Sequence, residues 1–400
     1  MKYFPLIFVI LFSAGCTRAQ QVQISVTNPS RQSRNNEPVV IEWQKIGKTF
    51  TNTDPHALRL ANEAGQQVEL QVDDITTSGT PDELVFQDSY KAGETKKYIL
   101  SAGKTPAPES RIPYHTDAQD WKRVKGVLQS LDEDDVAGNA RERKAYRFDG
   151  VGWESDSMAY RLYLDERNAV DLLGKRKPGL YWKYIGTSGV DYQADADWGT
   201  DILHVGDALG VGGIGFWTGD SVLKPVSIAY QRCRIVSRGP VRAVVRVGYQ
   251  GWYTGDDTVD LSSTFIIYRG DRFCEHRVEL TKSRISHTIA TGIVKHDSTE
   301  GDCDPAFGFL YYTGRQSRTG DSLMMAVCIP LAIDMKNVEG PHDHLLLSTI
   351  GKNSPTLRIF ISAYWQGESS RMWTKPEIRS HLTDIVRRAR EPLSITVTQM

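Results

Sequence analysis

From Val22 onward the chain is a succession of short runs rich in β-branched and aromatic residues: VQISV, PVVIEW, QVELQV, ELVF, KKYIL, MAYRLYL, VRAVVRV, STFIIY, RVEL and PLSITV. Alternation with a period of two sends successive side chains to opposite faces of a strand, so a run can bury one face and wet the other. Gly, Asp, Asn and Pro punctuate the runs, as turns between antiparallel strands require. The pattern predicts an all-β chain built around an antiparallel β-sandwich body of the supersandwich kind. At 400 residues there is length for a large core or for two or three ordinary domains, and no internal repeat divides it.

Three local signals organise the runs. The polar, proline-bearing stretch KTPAPES from Lys104 to Ser110 has the composition of a linker. It predicts a small N-terminal β-sandwich over residues 20–108 and a larger sandwich over residues 111–400. LDEDDVAGNARER, from Leu131 to Arg143, lacks the D-x-D-x-D-G order of a calcium loop and reads as a solvated loop. Near the end, Thr374 and Glu377 form a capping-box pattern, Pro376 falls in the first turn, and Ile378, Leu382, Ile385 and Ala389 make one apolar stripe. A helix over 375–390 that docks on a sheet is expected.

Charge is balanced, 48 basic against 49 acidic residues for a net charge of −1, so no global field recruits nucleic acid or an anionic membrane. Residues 1–19 have the layout of a secretory leader: Lys2, an apolar run from Phe4 to Phe12, and small residues before Cys16. Ser13-Ala14-Gly15-Cys16 is a permissive lipobox, so lipidation of Cys16 would anchor the protein, whereas cleavage after Ala19 would release it soluble. The expectation is an exported protein, periplasmic or an outer-membrane lipoprotein, with the cell surface a further location. Cys233, Cys274, Cys303 and Cys328 allow at most two disulfides, and buried thiols are an equal alternative.

Residues 153–217 interleave aromatics, acids, amides and single basic groups and end in several glycines. Flat rings stack on the apolar faces of pyranoses while charged and amide groups take the hydroxyls, so the mixture suits a sugar-binding cleft as well as an aromatic-rich core. The order WESDSMAYRLYLDERN, then DLLGK, DYQADADWGTDIL and LGVGGIGFW, resembles a bacterial polysaccharide-utilisation family of formerly unknown function that includes an ulvan oligosaccharide dehydratase. QVDD at 71–74, PDELVFQ at 81–87 and GPVRAVVRV at 239–247 extend the resemblance over most of the chain. It implies a β-rich, extracytoplasmic enzyme, with 111–400 as the catalytic domain, that removes water from a terminal glucuronate without a cofactor. One departure stands out: Gln193 occupies a position where the family pattern has His, so no role resting on that histidine carries over.

Such an elimination needs the carboxylate neutralised, the C5 proton removed and the departing C4 oxygen protonated. In the gluco configuration H5 and O4 share a face, so one Tyr or His can serve both proton transfers. His204 is the leading acid or base and Tyr192 the second, although a histidine that satisfies a backbone carbonyl or a packed tyrosine is the commoner case. Read as one strand, residues 153–165 put Trp153, Arg161 and Tyr163 on one face as a cleft wall, with Arg161 forking onto the carboxylate unless it pairs with an acid such as Asp165. Lys175, Trp198, Asp201 and Arg246 complete the expected substrate contacts, Arg242 and Arg246 facing solvent or a cleft. Two other readings stay open. One is a glycoside hydrolase drawing a carboxylate pair from Glu154, Asp156, Asp195 and Asp201. The other is a non-catalytic surface glycan-binding protein. His342 and His344 offer two metal ligands on a strand, but no metal is expected, and neither GxGxxG at a strand-to-helix turn nor GxxxxGK[ST] occurs.

Overall fold

The computed structural model describes residues 20–103, 105, 114–138, 145–186, 191, 193–369 and 371–400. Tyr192, Cys16, the leader and nearly all of the linker fall outside them. The described chain is mostly strand, arranged in antiparallel sheets of nine, six, five, five and three strands, with one α-helix.

Alternation builds the N-terminal sandwich. Val22, Ile24 and Val26 of the strand Gln21–Thr27 face inward with Leu58, Leu60, Tyr98 and Leu100, and pack on Val39, Ile41, Leu84 and Phe86 of a three-stranded sheet. The other side of that smaller sheet, through Val40 and Val85, lies on Val241, Val244, Ile266 and Tyr268 of the nine-stranded sheet. In the strand Arg242–Tyr253 the odd residues Ala243, Val245 and Val247 point the opposite way, into the main core with Phe265, Ile267, Val278, Ile359 and Ile361. The six-stranded sheet and a second five-stranded sheet cover that core, and the bridge from Val170 to Gly210 joins them edge to edge. The nine-stranded sheet is therefore the central layer of the molecule.

The helix Lys375–Arg390 forms as expected. Glu377 accepts from the Thr374 backbone N–H at 2.8 Å, and Ile378, Leu382, Ile385, Val386 and Ala389 bury against Phe309, Tyr311, Met324, Phe360 and Tyr364 on the outer face of the nine-stranded sheet. Two expectations change. Ser394–Gln399 pairs with Gln21–Thr27, so the 111–400 unit surrenders its last strand to the N-terminal sheet. Within the charged section thought to be a loop, Glu133–Ala137 is an edge strand on Tyr230–Ser237, its acids facing Arg232 and Arg234. Of the two alternatives left open for the cysteines, the free thiols hold: Cys233, Cys274 and Cys328 are buried and Cys303 half-buried.

Candidate functional site

The segment expected to run straight from Trp153 to Asp165 turns back on itself. Gly150–Ser155 and Ala159–Tyr163 are antiparallel neighbours, Trp153 opposite Tyr160 and Gly152 opposite Arg161, with Ser155 Oγ accepting from the Ser157 and Met158 N–H groups in the turn. The turn reverses the parity of the second half. Trp153 therefore faces the core, stacked on Phe265 at 4.4 Å and on Tyr160 at 5.9 Å, its indole N–H donating to Cys274 Sγ at 3.1 Å. It cannot wall a cleft.

The outward face of the hairpin carries the charges. Arg161 stands opposite Asp171, and Leu173 opposite Asp201 at the sheet edge. Arg161 pairs with Asp171 and Tyr163, the Tyr163 hydroxyl donates to Asp171 at 2.8 Å, and Arg161 approaches Asp201 at 3.8 Å. Guanidiniums bracket the Tyr163 ring, Arg167 at 3.6 Å and Arg161 at 4.4 Å. Arg318 completes the network by donating to Asp201 at 2.8 Å. Burial, followed by the charge of Asp171, lifts Asp201 to about 7 against the pull of Arg161 and Arg318. Burial and Asp171 also push the Tyr163 hydroxyl well above its ordinary range, so it stays a donor rather than a base.

Farther along the same face, Lys175 is sealed in. Its ammonium meets Glu154 at 2.5 Å and the carbonyls of Ser155 and Gly179, while Glu154 also accepts from the Trp182 N–H at 2.8 Å. Burial lowers Lys175 and raises Glu154, each shift opposed by the partner's charge. The Trp182 ring lies so close that a Cβ on Gly152 would meet it at 2.4 Å, which explains glycine there.

Arg161, Tyr163 and Asp201 are thus brought together, and His204 lies three residues beyond Asp201 and is exposed. Its carbonyl accepts from His296 Nε2 at 2.9 Å, and His296 Nδ1 faces Gln316 Oε1 at 3.4 Å. Four expected contacts do not hold as stated. Trp153 is core; Lys175 already has a buried counterion; Arg161, 1% exposed, is committed to internal acids rather than open to a ligand. Arg246 faces the N-terminal sandwich, donating to Ile75 O at 3.2 Å, while its neighbour Arg242 is buried against Asp73 and Glu83, each at 2.7 Å, instead of reaching solvent. Trp198 is half-buried at the rim with Tyr181 5.6 Å away. Tyr192 lies outside the described residues.

The carboxylates considered for a hydrolase do not converge: Glu154 is buried, Asp156 caps the Gly270 turn, and Asp195 pairs with Arg176 outside. His344 stacks on Tyr312 at 3.5 Å and bonds Glu339, and among the described residues no cluster of His, Cys, Asp and Glu is set to hold a metal. A cavity of about 1030 Å³ lies elsewhere, between the N-terminal sandwich and the body, lined by His56, Arg59, Gln71, Asp73, Tyr114 and Arg238. Its Gln71 and Asp73 serve the Arg242 contact. Sequence reasoning missed Asp171 and Arg318; only Asp171 had a signal, in the DLLGK motif that also carries Lys175.

No curated protein matches the chain. Among solved structures it is similar to an α-mannosidase from Enterococcus faecalis V583, with TM-score 0.48 and 10% identity over 95% of this chain and 46% of that one. It is similar also to a protein in glycosyl hydrolase family 38 from Enterococcus faecalis, with TM-score 0.48 and 9% identity over 96% and 48%. The chain spans about half the length of either. A family model described as a domain of unknown function (DUF4861) matches residues 26–395, and the chain belongs to that family.

Proposed function

We propose that the protein is an exported carbohydrate-active enzyme that eliminates water from the non-reducing-end glucuronate of ulvan-type oligosaccharides, giving a 4,5-unsaturated uronate. One observation carries the reading beyond the motif resemblance: exposed His204, whose carbonyl accepts from half-exposed His296, follows by three residues the Asp201 that joins the Arg161–Tyr163–Asp171 network. Imidazoles near a charge-paired, partly dry wall supply what the reaction needs, a base for the acidified C5 proton and an acid for the leaving oxygen. In the step itself the C5–H pair forms the C4=C5 bond, the C4–O4 bond breaks, and O4 leaves as water with the transferred proton. His204 is the proposed proton carrier, with Tyr192 of the DYQADADWG motif the second candidate. Arg161 acts behind the site by fixing Asp171, Tyr163 and Asp201.

Incubation with glucuronate-terminated oligosaccharides tests this by mass and ultraviolet absorbance. Loss of one water without chain shortening, together with new absorbance from the conjugated double bond, is the expected outcome. Shortened products that have gained water would make it a hydrolase, and unchanged mass with tight binding a glycan-binding protein. His204→Ala is expected to lower kcat by on the order of 10²- to 10⁴-fold with little change in KM. Equal turnover in that variant, with loss in Tyr192→Phe, would transfer the role to the tyrosine. We also propose lipid anchoring through Cys16, because SAGC closes the apolar leader; Cys16→Ser should then move the protein from the membrane to the soluble fraction, and a mature N-terminus at Gln20 in the unaltered protein would rule it out.

A further inference from the structure

Arg318 reaches the site from far along the chain. It sits in the turn between the strands Phe309–Gly314 and Leu323–Cys328, and its backbone N–H donates to Ile202 O at 3.0 Å, tying that turn to the segment bearing Asp201 and His204. Its side chain is 33% exposed, whereas that of Asp201 behind it is 2% exposed. On the inner side Arg161 is engaged with Asp171 and Tyr163. When all four are ionised, Arg161, Arg318, Asp171 and Asp201 cancel in charge. Arg318 is the member of this set that meets solvent, and a guanidinium presents a planar fork of donors matched to two carboxylate oxygens.

We infer that Arg318 is the specificity residue that selects a carboxylate-bearing sugar, and that Asp201 is an internal stand-in that yields Arg318 to the carboxylate of the substrate. This rests on the uronate reading above and names the group that reads the uronate. Asp201 can release Arg318 without being stranded, because the Leu203 N–H at 3.3 Å and Arg161 at 3.8 Å remain with it. Lysine would not serve equally, since a point charge lacks the fork.

A third negative charge entering this set has a consequence for protons. Asp201 is faced by Arg161 and Tyr163 from one strand, Asp171 from the next and Arg318 from its turn. Burial and Asp171 already hold it at about 7, and losing the attraction of Arg318 moves it higher. The bound state then holds a proton that the free state gives up, so affinity is full below about 7 and declines as pH rises through it. The sugar carboxylate itself stays ionised throughout, because this pH range lies above that of ordinary carboxylic acids, so the decline reports the protein.

Calorimetry with three oligosaccharides tests the inference: one ending in glucuronate, its carboxyl-reduced counterpart, and a neutral one carrying a sulfate ester, which offers similar oxygens. The wild-type protein should prefer the first, bind it with proton uptake measurable in buffers of different ionisation heat, and lose affinity from about pH 6 to about pH 8.5. Arg318→Gln should weaken glucuronate binding by about 10- to 100-fold and leave the reduced sugar unaffected. Asp201→Asn should bind glucuronate at least as well as wild type and lose the pH dependence. A scaffold-only ion pair predicts the reverse, Asp201→Asn weakening binding as much as Arg318→Gln, and that result would overturn the inference. So would equal affinity for the glucuronate and reduced sugars, preference for the sulfated sugar, or wild-type binding without proton uptake, a measurement that needs no variant to fold. Binding as described without loss of water removes the dehydratase and keeps the inference; dehydration with unchanged KM in Arg318→Gln does the opposite.

Discussion

Lys175 and Glu154 show how a buried charge can hold a surface together without touching a ligand. Each is fully enclosed, and Glu154 also carries the Trp182 backbone N–H, so the pair pins the cover over the hairpin. Removing one partner leaves an uncompensated charge, at a cost of about 3–5 kcal/mol, whereas neutralising both is often harmless. Lys175→Met is therefore expected to lose about that much stability in urea titration, and Glu154→Gln combined with it to regain most of the loss. A double variant no more stable than Lys175→Met would show that the ammonium acts through its carbonyl contacts instead. The same residues mark the limit of linear reading. Lys175, in a motif that resembles a polysaccharide-utilisation family, reads as an anion ligand because its counterion lies 21 positions away across two strand pairings. Arg318 was invisible for the stronger reason that it is 117 positions from Asp201, in a turn with no motif of its own.

At the scale of elements, legibility follows locality. The helix Lys375–Arg390 was readable in full, because a capping box and an apolar stripe are written within one segment. Leu382 is fully buried there, and Leu382→Ala should cost about 2–5 kcal/mol by denaturant titration; a loss under about 1 kcal/mol would mean that the helix is not held by its stripe. The hairpin at Trp153 was misread because Ser155 and Asp156, both turn formers, interrupt an otherwise strand-like run, and a reversal of four residues shifts every later side chain to the other face. Arg242 and Arg246 were assigned correctly to one face of their strand, opposite Ala243, Val245 and Val247. What that face meets, the N-terminal sandwich, depends on a layer contributed by residues far upstream.

The whole molecule is organised about that seam. Arg242 is buried against Asp73, Glu83 and Tyr268, and Gln71 mimics a strand by accepting from the Arg242 N–H at 3.1 Å and donating to its carbonyl at 3.0 Å. A fragment comprising residues 111–400 would bare Val241, Val244, Ile266 and Tyr268 and leave Arg242 without its carboxylates. It is expected to be insoluble or to melt far below the full chain, as light scattering and thermal unfolding would show; a soluble fragment of equal stability would establish two independent units. The pairing of Gln21–Thr27 with Ser394–Gln399 extends the point into time. Contacts so far apart in sequence are slow to form, because the intervening loop must close before they repay its entropy. A chain emerging from the ribosome leaves this sheet incomplete until Ser394–Gln399 has been made, so the strand Gln21–Thr27 stays an open edge on one side until then.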